Sequence, residues 1–160
     1  MSAFKLSALA LLAASPLLAQ SAGTTVHTTA DLQKREAKLT ETAKALPSGL
    51  ASDTVEDYGN NYTLVVVRLH TGDSERHASW SDQFVVSKGA ITLVTGGTML
   101  DEHPSKTATR EGETVGSGLQ GGTEVTLHAG DIAHVPAGVP HWVKIAPGTT
   151  ATYLVFKEKK

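Results

Sequence analysis

The 160-residue chain contains no cysteine, so it can form no disulfide and offers no thiolate for chemistry. Aromatic residues make up only 5% of it, and its net charge is −2 with no basic run before the final lysines, which argues against a nucleic-acid partner. It has no P-loop, Rossmann fingerprint, nucleophile elbow or zinc-protease helix. The length predicts one domain, large enough to bury a core without metals or disulfides as staples.

Long apolar runs are also missing, except at the N-terminus. Residues 1–19 show the three parts of a secretory signal peptide: Lys5, an apolar stretch over 6–18, and small residues around Ala19. The apolar stretch is short for a membrane anchor, and no second segment resembles a membrane helix. We therefore expect cleavage after Ala19, export to the periplasm or the extracellular space, and no membrane span in the mature chain.

The next two segments differ in character. Residues 20–30 are small and polar and predict a flexible leader. Over residues 31–46 apolar side chains recur at helical spacing, with Thr29 as a candidate N-cap and Pro47 at the end. We expect one amphipathic helix here that braces the strands that follow.

From about residue 52 the apolar period changes to two, with frequent glycine turns and many valines and threonines. The segment 98–122 has few apolar groups and predicts a long excursion with one short strand near 99–100. An antiparallel barrel or jelly roll fits this pattern, and a sandwich without a central site is the alternative. Strands are predicted at 62–70, 75–81, 83–87, 91–95, 124–128, 132–135, 141–145 and 151–157.

One segment, GDIAHVPAGVPH over 130–141, presents a histidine with little conformational freedom. Pro136 and Pro140 fix the backbone angle φ on either side of Gly138, and His141 follows this corner directly. A rigidly held histidine suits a metal ligand or a general base. The alternative is an ordinary turn that happens to precede a histidine.

The spacing of this segment resembles the second conserved motif of the cupin superfamily, G-x5-P-x-G-x2-H. The matching residues are Gly130, Pro136, Gly138 and His141, while Ile145 stands where the family usually has asparagine.

An upstream segment resembles the first cupin motif. His77 fits its first histidine, Ser79 stands at the second, and Asp82 with Gly89 fits the acidic and glycine positions. The resemblance covers about residues 62–157. It implies an all-β, antiparallel double-stranded β-helix (a jelly-roll barrel) with one N-terminal helix, as a single domain over 31–160 with its barrel at about 52–157.

The resemblance further implies a site for one divalent metal ion, Fe, Mn, Ni or Zn, held by His77, Asp82 and His141. His134 is a fourth candidate ligand, since it could supply the place that Ser79 leaves. It shares a strand face with Ile132 by alternation, so it points inward only if Ile132 does. The alternative for His134 is a rim or core histidine bonded to backbone.

Five further residues are candidates for binding a substrate: Ser79, Trp80, Gln83, Trp142 and Lys144. The tryptophans flank the candidate ligands and could stack on a ligand, although such residues more often simply pack. Gln83 and Lys144 could bind a substrate carboxylate or could equally face solvent.

Three functional hypotheses remain open. The first is a metal-dependent dioxygenase, isomerase or lyase acting on a small molecule. The second is a cupin without metal that binds a small ligand in the same pocket, which the serine at position 79 favours. The third is a structural barrel whose mouth is filled by its own loop. Family analogy also makes a homodimer possible, and the fold alone does not select a reaction.

Overall fold

The computed structural model describes residues 23–108 and 110–160. The predicted signal peptide over 1–19 lies outside the described residues. Within them, no helix is both long and apolar enough to cross a membrane. The elements formed there are α1 (Thr29–Ala45), β1 (Leu50–Asp57), β2 (Asn61–Arg68), β3 (Ser74–His77), β4 (Trp80–Lys88), β5 (Ala90–Thr95), β6 (Thr98–Leu100), β7 (His103–Pro104), β8 (Glu113–Gly116), β9 (Gly118–Gln120), β10 (Thr123–His128), β11 (Ile132–Val135), β12 (His141–Lys144) and β13 (Ala151–Lys159).

The helix begins two residues before its predicted start, and its N-cap is Thr28 rather than Thr29. Thr28 and Asp31 form a capping box, in which each side chain bonds to the other residue's backbone N–H at 3.2 and 3.1 Å. Leu39 and Ala43 are buried against apolar residues of β1 and β2. The helix therefore packs on a sheet, as the predicted brace would.

The strands form two larger sheets, and every pairing is antiparallel. One sheet has the order β1-β2-β13-β4-β11, the other β10-β5-β12-β3-β8-β7, and β6 and β9 form a separate pair. The predicted all-β class with one helix is confirmed. Among the described residues, however, no strand pairing joins the two sheets, so the predicted jelly-roll barrel takes the form of an open sandwich of two sheets.

The main core fills the space between the two sheets. Alternate residues of β2, β4 and β13 point into it from one side, while β5, β10 and β12 supply the other. Ile145, which replaces the asparagine of the cupin motif, is 8% exposed and belongs to this core. The substitution thus serves packing.

The predicted excursion over 98–122 contains more structure than its composition suggested. It forms four short strands, and β8 extends the six-stranded sheet by pairing with β3. Gly97 allows this path: its φ is +75°, and a Cβ there would collide with the carbonyl of Gln120. Because β8 pairs with β3, it places Glu113 opposite His77.

Candidate metal centre

The polar residues of the interior come from strands on both sheets. His141 of β12 pairs with Glu75 of β3 in the six-stranded sheet. Lys157 of β13 pairs with Asp82 of β4 in the five-stranded sheet. Since cross-strand partners present their side chains on one face, each pair points into the space between the sheets.

The proline–glycine corner before β12 is bonded to neighbouring strands. The N–H of Gly138 donates to the carbonyl of His77 at 2.8 Å, and the N–H of Gly96 donates to the carbonyl of Pro140 at 2.8 Å. Gly138 has a φ of +82°, a conformation that other residues rarely adopt. The corner therefore fixes His141 against His77, and their ring centroids lie 5.2 Å apart.

Three side chains converge as a potential ligand set. One ligand atom from each of Glu75, His77 and His141 lies within 4.8 Å of the others. The histidines are 5% and 3% exposed, whereas the Glu75 side chain is half-buried. Two imidazoles and a carboxylate form the facial triad that suits divalent first-row metals and leaves positions open for substrate.

A lysine lies against this group. Nζ of Lys157 is 2.7 Å from both carboxylate oxygens of Asp82 and 2.8 Å from Nε2 of His77. Lys157, at 6% exposure, and Asp82, at 2%, are both buried. Oδ2 of Asp82 also lies 3.4 Å from Nε2 of both His77 and His141. The ammonium group thus satisfies a carboxylate whose burial alone would be costly.

The Nδ1 atoms of His77 and His141 point away from the group, so their Nε2 atoms face it. Nδ1 of His141 points at the carbonyl of Val139, 3.4 Å away. Nδ1 of His77 is buried without a hydrogen bond and lies 3.4 Å from Oε1 of Glu113. Only one hydrogen fits between Nε2 of His77 and Nζ of Lys157. A metal ion on that nitrogen must therefore displace the lysine contact.

The charges in the group stabilise one another. Burial alone would raise the pKa of Glu75, but its hydrogen bond with His77 and the charges of His141, His77 and Lys157 lower it to about 2. Burial likewise opposes ionisation of Asp82, yet hydrogen bonds with both histidines and the charge of Lys157 hold its pKa well below the usual range. Both carboxylates are therefore anionic at neutral pH.

His77 responds in the opposite direction. Burial would lower its pKa, but the carboxylates of Asp82, Glu113 and Glu75, 3.4 to 3.5 Å from its ring nitrogens, outweigh both burial and the repulsion of Lys157, and the pKa rises to about 10. The carboxylates around this ring favour a positive charge on it, and a metal ion would have to displace the proton that the ring holds.

Two cavities that share six lining residues border the group. The outer one, of about 780 Å³, has Glu75, His77 and Lys157 in its lining. The inner one, of about 120 Å³, adds Asp82 and His141 to its lining. A separate groove of about 850 Å³ runs between α1 and the opposite face of the five-stranded sheet, away from these residues.

No protein-family model matches the sequence, and no curated protein sequence matches it. Solved structures do resemble it. A recombinant oxalate oxidase in complex with glycolate aligns with a TM-score of 0.51 and 18% identity over 72% of this chain. The Schizosaccharomyces pombe Cnp3 cupin domain (TM-score 0.49, 10% identity) covers 69% of this chain, and KdgF from Halomonas sp. (0.49, 12%) covers 72%.

This chain has the cupin fold. It spans 53% of the oxalate oxidase chain, 61% of the Cnp3 domain and 83% of KdgF. At such low identity the likeness shows the fold alone.

The two cupin-like segments of the sequence meet in space. His77 and Asp82, from the first segment, lie beside His141, from the second. The structure adds Glu75, which the sequence interpretation missed. The sequence did contain a signal for Glu75, because residues 75 and 77 share one face of β3 by alternation.

The structure does not place His134 in the group. Ile132 is 62% exposed, and His134 points out on the same face of β11. Its cross-strand partner Gln83 is exposed on the same outer face of the sheet. The predictions for His134 and Gln83 both depended on which face of a strand points inward. The structure places both side chains on the solvent-exposed face of the sheet.

The remaining candidates for substrate binding also lie away from both cavities. Ser79 is in the turn between β3 and β4, and its carbonyl accepts from the N–H of Lys160 at 2.9 Å. Trp80 is 5% exposed and packs edge-on against Tyr62 at 5.1 Å. Both residues make contacts within the fold, and neither lines the two cavities.

On β12 the two candidates that follow His141, Trp142 and Lys144, have structural contacts as well. Nε1 of Trp142 donates to the carbonyl of Gly72 at 2.6 Å. Lys144 pairs with Glu124 at 2.8 Å near the surface. Neither residue lines the two cavities that reach the ligand group.

Proposed function

We propose that this protein is an exported cupin that binds one divalent metal ion through Glu75, His77 and His141 and acts there on a small molecule. The observation that carries this proposal is the convergence of these three ligand atoms within 4.8 Å of one another. Imidazole and carboxylate ligands suit Fe, Mn, Ni and Zn, and they do not select one of them. A bound ion would polarise an oxygen of the substrate.

The chain's own residues would prepare this site. Nδ1 of His77 and of His141 face Glu113 and the carbonyl of Val139, which directs each Nε2 inward. The Asp82–Lys157 pair lies beside the ligand set, where it can hydrogen-bond a substrate without joining the coordination. The outer cavity gives a small molecule access to this position.

The test is a calorimetric titration of the mature chain, residues 20–160, with Zn²⁺ and with Mn²⁺. We expect one site per chain, and its loss in Glu75→Gln and His141→Ala. His134→Ala is the matched control, because this histidine is exposed on the outer face. Equal binding by wild type and His141→Ala, or loss of the site in His134→Ala, would contradict the proposal.

One observation favours a second candidate, a metal-free cupin that binds a small ligand. Lys157 already places a cation against Asp82 and against His77, which is one of the proposed ligands. This candidate predicts no metal site in wild type and ligand binding that EDTA leaves unchanged.

Export and dimerisation are proposals that rest on the sequence. Export follows from the signal-like residues 1–19 and predicts that protein recovered outside the cytoplasm begins near Gln20. The homodimer follows from family analogy, and light scattering of the mature chain tests it.

A further inference from the structure

A buried arginine lies on the wall of the same cavities. Arg68, at the end of β2, is 4% exposed. Its Nε donates to the hydroxyl of Tyr153, a residue that also lines the inner cavity, at 3.1 Å. Its Nη1 is buried, and among the described residues no hydrogen-bond acceptor lies within reach of it.

Arg68 differs in this respect from the other cation of the cavity. Lys157 is paired with Asp82 at 2.7 Å, whereas no carboxylate of the described residues lies within 4.0 Å of Arg68. A guanidinium group stays charged in proteins, so it cannot relieve its burial by losing a proton. The charges of Glu75 and Asp73 compensate this burial in part and raise the pKa of Arg68, but they leave the Nη1 donor unused, and an anionic ligand would add to this compensation.

The position of Arg68 suits a ligand that also reaches the metal ligands. Arg68 lines both the outer and the inner cavity, and so do Glu75 and Lys157. The turn between β2 and β3 leaves room for the guanidinium, because a Cβ at Gly72 would collide with Nη1. Nη1 itself is closed off from solvent, but the Arg68 side chain lines the same two cavities as the ligand triad.

We infer that Arg68 binds the carboxylate of the substrate, so that the substrate is a small carboxylic acid. The inference rests on the proposed function, because the other end of the substrate would meet the ion held by Glu75, His77 and His141. A carboxylate matches the planar fork of a guanidinium. The carboxylates of Glu75, Asp82 and Glu113 nearby disfavour a doubly charged anion such as phosphate.

The experiment uses the mature chain loaded with Zn²⁺ and, in parallel, the chain in EDTA. Acetate, pyruvate and benzoate are titrated beside their uncharged amides and beside inorganic phosphate. The variants are Arg68→Met and Arg68→Lys, with Arg76→Met as the matched control, because Arg76 is a more exposed arginine that is paired with Glu102.

We expect at least one carboxylate to bind the Zn²⁺-loaded wild type more tightly than its amide and than phosphate. Its affinity should fall roughly tenfold or more in Arg68→Met and stay unchanged in Arg76→Met. Arg68→Lys keeps the positive charge but lacks the planar guanidinium, so its affinity for the carboxylate should lie between those of wild type and Arg68→Met. It serves as the test if Arg68→Met does not fold.

Three results would overturn the inference: no carboxylate binds wild type at millimolar concentration, amides or phosphate bind as well, or the Arg68 variants keep the affinity of wild type. Failure of the proposed function is separate, because it is seen as absent Zn²⁺ binding. Carboxylate binding that depends on Arg68 in EDTA would uphold the arginine site without the metal.

Discussion

Lys157 places a positive charge beside the position of the proposed metal ion, and its effect can be measured. Its Nζ contacts Asp82 and His77 at 2.7 and 2.8 Å. Replacing it with methionine removes a competing cation and leaves the buried carboxylate of Asp82 without its partner. A metal ion could then supply the missing charge.

We expect Lys157→Met to be less stable than wild type in EDTA, by about 3 kcal/mol, because it breaks a buried pair. We expect Zn²⁺ to stabilise the variant more than it stabilises wild type. Urea unfolding with and without Zn²⁺ measures both effects, and Lys144→Met, at a surface pair, is the control. A smaller Zn²⁺ effect in Lys157→Met would show that the lysine assists metal binding.

Tyr153 gives the interior a dependence on alkaline pH. Burial raises the pKa of its phenol, and the charge and hydrogen bond of Arg68 oppose this only in part. In the unfolded chain the phenol ionises near pH 10, so the unfolded state loses its proton first as the pH rises. The contribution of Tyr153 to stability is thus complete below about pH 10 and is lost above it.

Between about pH 9 and about pH 11, the free energy of unfolding should fall more in wild type than in Tyr153→Phe, by at most about 1.4 kcal/mol per pH unit. Urea unfolding at the two pH values measures this difference. Tyr58→Phe changes a tyrosine that is 59% exposed and should behave as wild type does. An equal pH dependence in Tyr153→Phe would show that the phenol titrates normally in the folded protein.

At the scale of elements, the sequence predicted best where local chemistry decides the structure. The corner of Pro136, Gly138 and Pro140 folds as expected and presents His141 inward. Strand positions were predicted to within a few residues for most of the chain because their period and turns are local signals.

The direction in which strand side chains point and the pairing of strands were harder to predict, because both depend on residues far apart in the chain. His134 lies on an edge strand whose apolar residue Ile132 faces out, so alternation alone could not place it. Lys157 belongs to the basic run that ends the sequence, and its pairing with Asp82, 75 residues away, buries it. Glu75 gains its role from His141 on the neighbouring strand β12, and Arg68 is bonded to Tyr153 on the neighbouring strand β13; both partners are distant in the chain.

The N-terminal helix makes a separate contribution that can be tested at its cap. Thr28 accepts a hydrogen bond from the backbone N–H of Asp31 at 3.2 Å. Thr28→Ala should therefore lower the free energy of unfolding by about 1 kcal/mol. Thr42→Ala, on the exposed face of the same helix, should be neutral or slightly stabilising.

Urea unfolding measures this difference, and metal affinity should be equal in both helix variants. The helix packs on the outer face of the five-stranded sheet, away from the ligand group. A change in metal affinity in Thr28→Ala would mean that the helix acts on the site through the sheet.

At the scale of the whole molecule, the two sheets lie on opposite sides of the polar group and each supplies part of it. The six-stranded sheet supplies Glu75, His77 and His141, and the five-stranded sheet supplies Arg68, Asp82 and Lys157. We infer that the first set holds the ion and the second set supplies the charges that a substrate meets. The packed core on one side of this group holds the two sheets together, and with them the two sets of side chains.

The central claim is that this cupin holds a metal ion between its sheets. The most direct test is the metal content of the purified mature chain, measured by elemental analysis beside His141→Ala and His134→Ala. We predict close to one equivalent of Fe, Mn, Ni or Zn in wild type and in His134→Ala, and its loss in His141→Ala. No metal in any of the three proteins, after attempted reconstitution with each of these ions, would contradict the account.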